Sequence, residues 1–248
     1  MISFLIPTHI GYHPDTIEHL NTLVNSIPSG IPGVEVFLIG NALKIPPDQR
    51  KFFSVRKPNS LDYDRKIWFI PCDGTITQKF NFGVASVCND YVVWVRDYMR
   101  FSPDWFDHMI WDFDVCMNRI LNPDGSRFRD WCSWDDPEIR PEPWIQREKW
   151  CPGGKFWPAK ASLVPYSYNK TDKMYISGGY LIGKRDFLLE NPMDESLNLG
   201  DGEDVEWSTR VRNKWKYVMN EKQVVWLQKQ KDVILPNYEN SHLYFRDT

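Results

Sequence analysis

The sequence is poor in cysteine, with five in 248 residues, odd in number, widely spaced and never paired as CxxC. This excludes the usual zinc-finger spacing and a disulfide framework, and it reads as reduced thiols in a cytoplasmic protein. No apolar run reaches about 18 residues, the length a membrane-spanning helix needs. The opening MISFLIPTH enters a strand pattern directly, without the basic segment or cleavage site of a secretory leader. Neither sign of charge is in excess: 30 Lys and Arg stand against 33 Asp and Glu, a formal net charge of −3. Such a balance lacks the basic footprint of a nucleic-acid binder and the polybasic signature of a protein that docks on anionic membranes. Two phosphate-binding signatures are missing as well. There is no GxGxxG after the first strand and no GxxxxGK[ST] anywhere, so neither a dinucleotide dehydrogenase nor a P-loop nucleotide hydrolase fits.

What the sequence does have is tryptophan, 12 in all. These rings either fill a bulky core or stack on the apolar faces of sugars, and position has to decide between the two. Four short apolar runs occupy the first hundred residues: ISFLIP, VEVFLIG, IWFIP and YVVWV. Uninterrupted runs of this length read as strands buried on both faces. Between them, Ile17, Leu20, Leu23, Val24 and Ile27 share one helical face, with Asp15 as the cap. Ile76, Phe80, Val84 and Val87 share another, capped near Thr75. The alternation argues for a single α/β domain over residues 1–248, with a mostly parallel central sheet covered by helices. The spacing of SPDWFDHMIWDF predicts a further helix over 102–113, with Pro103 in its first turn. Residues 118–172 read as an irregular insert rich in Trp and Pro, either a lid over an acceptor or a small satellite core. Regular structure resumes with a Gly-Gly strand around Gly178 and Gly179, a helix through Trp207, Val211 and Trp215, and a late strand in KQVVWLQKQK.

Four blocks, in order, resemble GT-A-fold glycosyltransferases of the family 2-like group. They are SFLIPTH, then ITQKFNFGVASVCNDYVVWVRD with its Lys79-x-Asn81-x-Gly83 helix, then YISGGYLIGKRDF, and finally GDGEDVEWSTRV. Together they cover most of the chain outside the insert. The resemblance implies a three-layer sandwich and transfer of a sugar, by default from a UDP-sugar, to a carbohydrate hydroxyl with inversion. The last residues of YVVWVRD correspond to the family's Asp-x-Asp. Here they are Arg96, Asp97 and Tyr98, a single acid in place of two. Two literal Asp-x-Asp sequences, Asp62-Tyr63-Asp64 and Asp112-Phe113-Asp114, do not follow the corresponding strand and read as decoys.

By the same resemblance, Asp97 holds a divalent metal, Mn²⁺ or Mg²⁺, against the donor diphosphate, and His242 is the candidate second ligand. Thr8, His9, Asn41, Lys79 and Asn81 lie where the donor nucleotide is held. Lys79 stands near a helix start suited to phosphate. Gly178 and Gly179 line the acceptor floor, and Trp207 either stacks on the acceptor or packs in the core. Asp204 is the expected base that removes the proton of the attacking hydroxyl, and Glu203 orients the acceptor. In the bare sequence the same two acids equally suit the first turn of a helix. Two other readings remain open: a non-catalytic carbohydrate- or nucleotide-binding module that kept the fold, and a sugar-nucleotide nucleotidyltransferase.

Overall fold

In the computed structural model, which describes residues 1–8, 15–28, 31–41, 67–133, 136 and 162–231, the four apolar runs are strands. They are β1 (Ile2–Pro7), β2 (Val34–Gly40), β3 (Ile67–Pro71) and β4 (Tyr91–Val95). All six residues of β1 are buried, as expected for a strand covered on both faces. β2 and β4 flank β1 in parallel, and β3 pairs in parallel with β2. The order is therefore β3-β2-β1-β4. The chain steps outward from β1 to β3 and then crosses back to place β4 on the other side. Strand order reverses between β1 and β4, the position at which open α/β sheets hold a ligand crevice outside the carboxyl ends of the strands.

Two helices follow their sequence patterns closely. α1 (Thr16–Ser26) buries Leu20, Leu23 and Val24. Asp15 stands at its N-cap position, but its side chain makes no cap hydrogen bond and pairs with Lys229 instead. α2 (Ile76–Ser86) has a complete capping box: Thr75 Oγ1 accepts from Gln78 N at 3.2 Å, and Gln78 Oε1 accepts from Thr75 N at 2.9 Å. Gly83 lets this helix lie close on the sheet, since a Cβ there would stand 2.4 Å from Ile39 Cδ1 and 3.0 Å from Leu5 Cδ1.

The second half extends the sheet with mixed polarity. β5 (Met99–Phe101), β6 (Val115–Leu121), β10 (Tyr180–Lys184) and β11 (Tyr217–Leu227) complete an eight-stranded sheet in the order β3-β2-β1-β4-β10-β6-β11-β5. β10 is antiparallel to both neighbours, β5 is antiparallel to β11, and β11 is parallel to β6. A small antiparallel sheet joins β7 (Cys132–Ser133) to β8 (Ser162–Leu163) and β9 (Met174–Tyr175). Two helices close the described chain, α3 (Arg185–Glu190) and α4 (Glu203–Val211).

Three expectations are corrected. The helix expected over 102–113 is absent; the segment holds one 3-10 turn, Phe106–His108. Side chains of β11 take the carbonyls such a helix would need. Gln223 Nε2 donates to Trp105 O at 3.0 Å, and Asn220 Nδ2 donates to His108 O at 2.8 Å. Trp105 is drawn into the core against Phe101, with ring centroids 4.8 Å apart. The expected irregular insert starts too early, because residues 118–121 belong to β6. The Gly-Gly pair is not a kink within one strand but the tip of a turn between β9 and β10, closed by Tyr180 N donating to Ser177 O at 3.0 Å.

Phe128, Trp131 and Val164 join the same hydrophobic core as β1 and β4. Trp134, Trp144, Trp150 and Trp157 lie outside the described residues. Among those residues, no helix is long and apolar enough to cross a membrane. Cys72, Cys88, Cys116 and Cys132 are free thiols. Burial pushes Cys116 and Cys132 up to about 12, so neither is poised as a nucleophile.

Candidate active site

The carboxyl end of β4 and the Gly-Gly turn are fastened together. Arg96 N donates to Gly179 O at 3.0 Å, and Trp94 Nε1 donates to Gly178 O at 3.2 Å. Both glycines are required by close approach. A Cβ on Gly178 would stand 3.0 Å from Asp204 Oδ2, and one on Gly179 would stand 3.0 Å from Met99 Cε and 3.2 Å from the Tyr98 hydroxyl.

The acid pair enters from the other side. Gly200 and Gly202 take left-handed backbone, φ 91° and 84°, and turn the chain into α4. Glu203 and Asp204 occupy its first turn, where negative charge suits the helix dipole. Asp204 is held on both oxygens: Oδ2 accepts from Gly178 N at 2.8 Å and Oδ1 from Val205 N at 2.9 Å. Ser208 pins the helix in place, donating to Asp204 O at 2.6 Å and accepting from Ile176 N at 3.0 Å. Burial, reinforced by the neighbouring Asp204 charge, pushes the Glu203 carboxyl up to about 7, against the opposing pull of Arg96. Burial also raises Asp204, with Arg129 and the Gly178 and Val205 hydrogen bonds acting the other way. Two adjacent carboxyls lifted toward neutrality beside a glycine turn have the character of a proton-transfer site.

Across the crevice, Thr8 follows β1 and is buried, with its N–H donating to Ile39 O at 2.9 Å. Lys79 reaches it from α2: Nζ is 3.4 Å from Thr8 O, and this lysine is also buried. Asn41, beyond β2, donates from Nδ2 to Asp73 Oδ2 at 2.8 Å. Asp97 follows Arg96 and is buried; the carbonyl of its own backbone accepts from Gln228 Nε2 at 3.3 Å. Thr8, Asn41, Lys79 and Asp97 thus stand along the carboxyl edge of β1–β4. His9 and His242 lie outside the described residues, as does the Asp62-Tyr63-Asp64 decoy. Asp112 and Asp114 both bond to Lys216, away from this edge.

Two expected site residues have other roles. Asn81 uses both ends of its amide on the loop after α3: Nδ2 donates to Met193 O at 2.9 Å and Glu195 Oε1 at 3.0 Å, and Oδ1 accepts from Met193 N at 2.9 Å. Trp207 is 0% exposed, packs on Phe187 and Trp215, and donates to Asn191 O at 2.5 Å. It offers no face to a sugar. The Arg127–Trp131 region is likewise structural at its centre. Asp130 accepts from Arg127 Nη2 at 2.8 Å, Trp131 N at 2.7 Å and the Tyr166 hydroxyl at 2.6 Å. Arg129, with a left-handed φ of 43°, contributes its charge to Asp204.

Two residues escaped the sequence reading. Asp73, one residue past the end of the β3 loop Cys72, is the acid beside Asn41; its position after a strand in IPCDG was the available signal. Arg96 was seen only as the neighbour of Asp97. For a metal, Asp97 offers one carboxylate, and among the described residues no group of three His, Cys, Asp or Glu converges to hold an ion. The described residues do not by themselves make a metal cage.

The parallel β-α-β half runs into strands of mixed polarity. The chain has the fold of GT-A glycosyltransferases. It is similar to residues 1–349 of S. aureus TarS, with a TM-score of 0.51 at 11% identity over 99% of this chain and 72% of that one. The same TarS segment in complex with UDP-GlcNAc matches with a TM-score of 0.52 at 12% identity, over 94% of this chain and 60% of that one. GalNAc-T7 with UDP, GalNAc and Mn²⁺ matches with a TM-score of 0.58 at 14% identity, over 94% of this chain and 44% of that one. The chain therefore spans less than two thirds of two of these three structures. No protein-family model and no curated protein sequence matches it.

Proposed function

We propose that this chain is a glycosyltransferase, family 2-like and built as one domain, that moves a hexosyl or pentosyl group from a nucleotide-sugar donor to a hydroxyl of a carbohydrate acceptor. The observation that carries this reading is the placement of Asp204, held by Gly178 N at 2.8 Å beside the carboxyl end of β4. UDP is the favoured nucleotide because the structures of similar fold hold UDP or UDP-GlcNAc.

The donor lies in the crevice at the β1/β4 order reversal, with Thr8, His9, Asn41 and Lys79 on its nucleotide side and Asp97 at its diphosphate. The acceptor lies over the Gly178-Gly179 turn. Asp204 takes the proton of the acceptor hydroxyl as the hydroxyl oxygen attacks the anomeric carbon. The bond from that carbon to the diphosphate breaks on the opposite face, and the nucleoside diphosphate leaves, so configuration inverts. Glu203, more easily protonated than an ordinary glutamate, orients the acceptor. Mn²⁺ or Mg²⁺, if held by Asp97 with His242, would offset the charge of the leaving diphosphate as a Lewis acid.

The test is incubation with a panel of nucleotide sugars and sugar acceptors, with Mn²⁺ or with EDTA, and measurement of free nucleotide. Release by the wild type and its loss in Asp204→Asn supports transfer. Binding without release across the whole panel would sink it in favour of a non-catalytic module. Release of pyrophosphate from a sugar phosphate and a nucleoside triphosphate would point instead to a nucleotidyltransferase.

A further inference from the structure

Arg96 stands immediately after β4, at the mouth of the crevice, and only 7% of it is exposed. Its backbone N–H is bonded to Gly179 O, yet among the described residues its guanidinium makes no hydrogen bond and no ion pair, and its Nε is buried without a partner. A guanidinium carries five N–H donors and keeps its charge at any accessible pH. A buried charge of this kind is ordinarily paired and hydrogen-bonded, and an exception in a folded protein calls for an explanation such as a missing ion.

The surroundings say which kind of ion. The Tyr98 ring lies beside the guanidinium, 5.8 Å from its carbon to the ring centroid, and Lys231 Nζ stands 3.3 Å from the centroid of the same ring. Two cations thus flank one aromatic side chain at the end of β4. Glu203 feels the Arg96 charge but is not within ion-pair distance of it. In α/β sheets of this order the ligand lies outside the carboxyl ends of the strands at the reversal, which is where Arg96 sits.

We propose that Arg96 is an anion-binding residue whose guanidinium fork receives the diphosphate of the nucleotide-sugar donor, with Lys231 adding positive charge from the Tyr98 ring. The proposal rests on the sugar-transfer reading and deepens it. A guanidinium can bond two oxygens of a diphosphate at once, which a lysine cannot reproduce.

Calorimetry in EDTA with UDP, inorganic pyrophosphate and glucose 6-phosphate tests it on the full chain, comparing wild type, Arg96→Met and Arg96→Lys, with thermal unfolding of each unliganded protein. Arg96→Met is expected to bind UDP and pyrophosphate at least about tenfold more weakly, with Arg96→Lys in between. Its unliganded melting temperature should stay level or rise, because an unpaired buried charge gives way to an apolar side chain. Unchanged affinity in Arg96→Met overturns the proposal, as does a lowered melting temperature, which marks a structural arginine. Weaker binding of glucose 6-phosphate alone overturns it in favour of an acceptor anchor. UDP binding that needs Mn²⁺ and is equal in all three proteins overturns the role of Arg96 and leaves sugar transfer standing. Absence of UDP binding in either condition, together with no nucleotide release from the sugar panel, removes both.

Discussion

Arg127 and Arg96 are both largely withdrawn from water, and they stand in opposite electrostatic situations. Arg127 bonds through Nε and Nη2 to one oxygen of Asp130, at 3.1 and 2.8 Å, and its guanidinium carbon lies 4.1 Å from the centroid of the Tyr166 ring. Asp130 completes its valences with Trp131 N, Ile120 N and the Tyr166 hydroxyl. That knot meets the charge of the guanidinium with a carboxylate, although Arg127 Nη1 is left without a hydrogen bond, and it holds the region around β7 to β6. Arg96 has a comparable burial and an aromatic ring beside it, but no hydrogen-bonded or ion-paired partner for its guanidinium among the described residues. A region whose charges meet one another supports the fold; a region that leaves a charge unmet is built for something that arrives later.

Substitutions can break this contrast on either side. Asp130→Asn should have the largest effect, about 3–5 kcal/mol of stability in denaturant unfolding, because it removes the counter-charge of a buried guanidinium. UDP affinity of the folded fraction should not change, and a change would mean that the knot belongs to the site. Gly178→Ala comes next. Its new Cβ would press on Asp204 Oδ2, and a displacement of that kind is expected to lower turnover by roughly a hundredfold while thermal unfolding shifts little. Trp207→Phe leaves Asn191 O without its donor, so about 1–3 kcal/mol of stability should go. The acceptor KM should hold; a rise in it would restore the stacking role that full burial argues against. Glu203→Gln comes last because its effect is confined to part of the pH range. The folded Glu203 titrates near about 7 against 4.5 for a free carboxyl, so the folded chain holds this proton more tightly than the unfolded chain. Stability from this group is full below about pH 4.5 and is lost as pH rises through about 7. Glu203→Gln should therefore be the more stable protein at pH 8, by up to about 3 kcal/mol, and the advantage should vanish at pH 4. An equal advantage at both values would show that the carboxyl is not lifted.

β1 to β4 were legible because strands buried on both faces leave an unbroken apolar run, and α1 and α2 because their apolar faces repeat at helical spacing. The Glu203-Asp204 pair was legible as two acids after a glycine turn. The lost helix at 102–113 was not, since its carbonyls are claimed by Asn220 and Gln223, more than a hundred residues away. Trp207 and Asn81 show the limit of pattern: spacing places a residue on a face but does not say what lies opposite that face. Arg96 and Asp73 acquire their meaning only from the order of strands, which sets β1 and β4 side by side and brings Asp73 against Asn41.

Gln228, just past β11, has a consequence for how the protein is made. Its N–H donates to Tyr98 O at 2.9 Å, and its Nε2 donates to Met99 O and His19 O, each at 2.8 Å. One side chain near the end of the chain thus staples the loop that follows β4 to α1, across sequence separations of 129 and 209 residues. During synthesis at ~5–20 residues per second, the β1–β4 half can pair and bury its core early. The loop carrying Arg96 and Asp97 is tied at Arg96 once Gly179 is made, and gains its remaining ties only when residue 228 emerges. A ribosome stalled before that point would display a sheet whose loop after β4 is not fully held, and such contacts of long range are the slow ones to form.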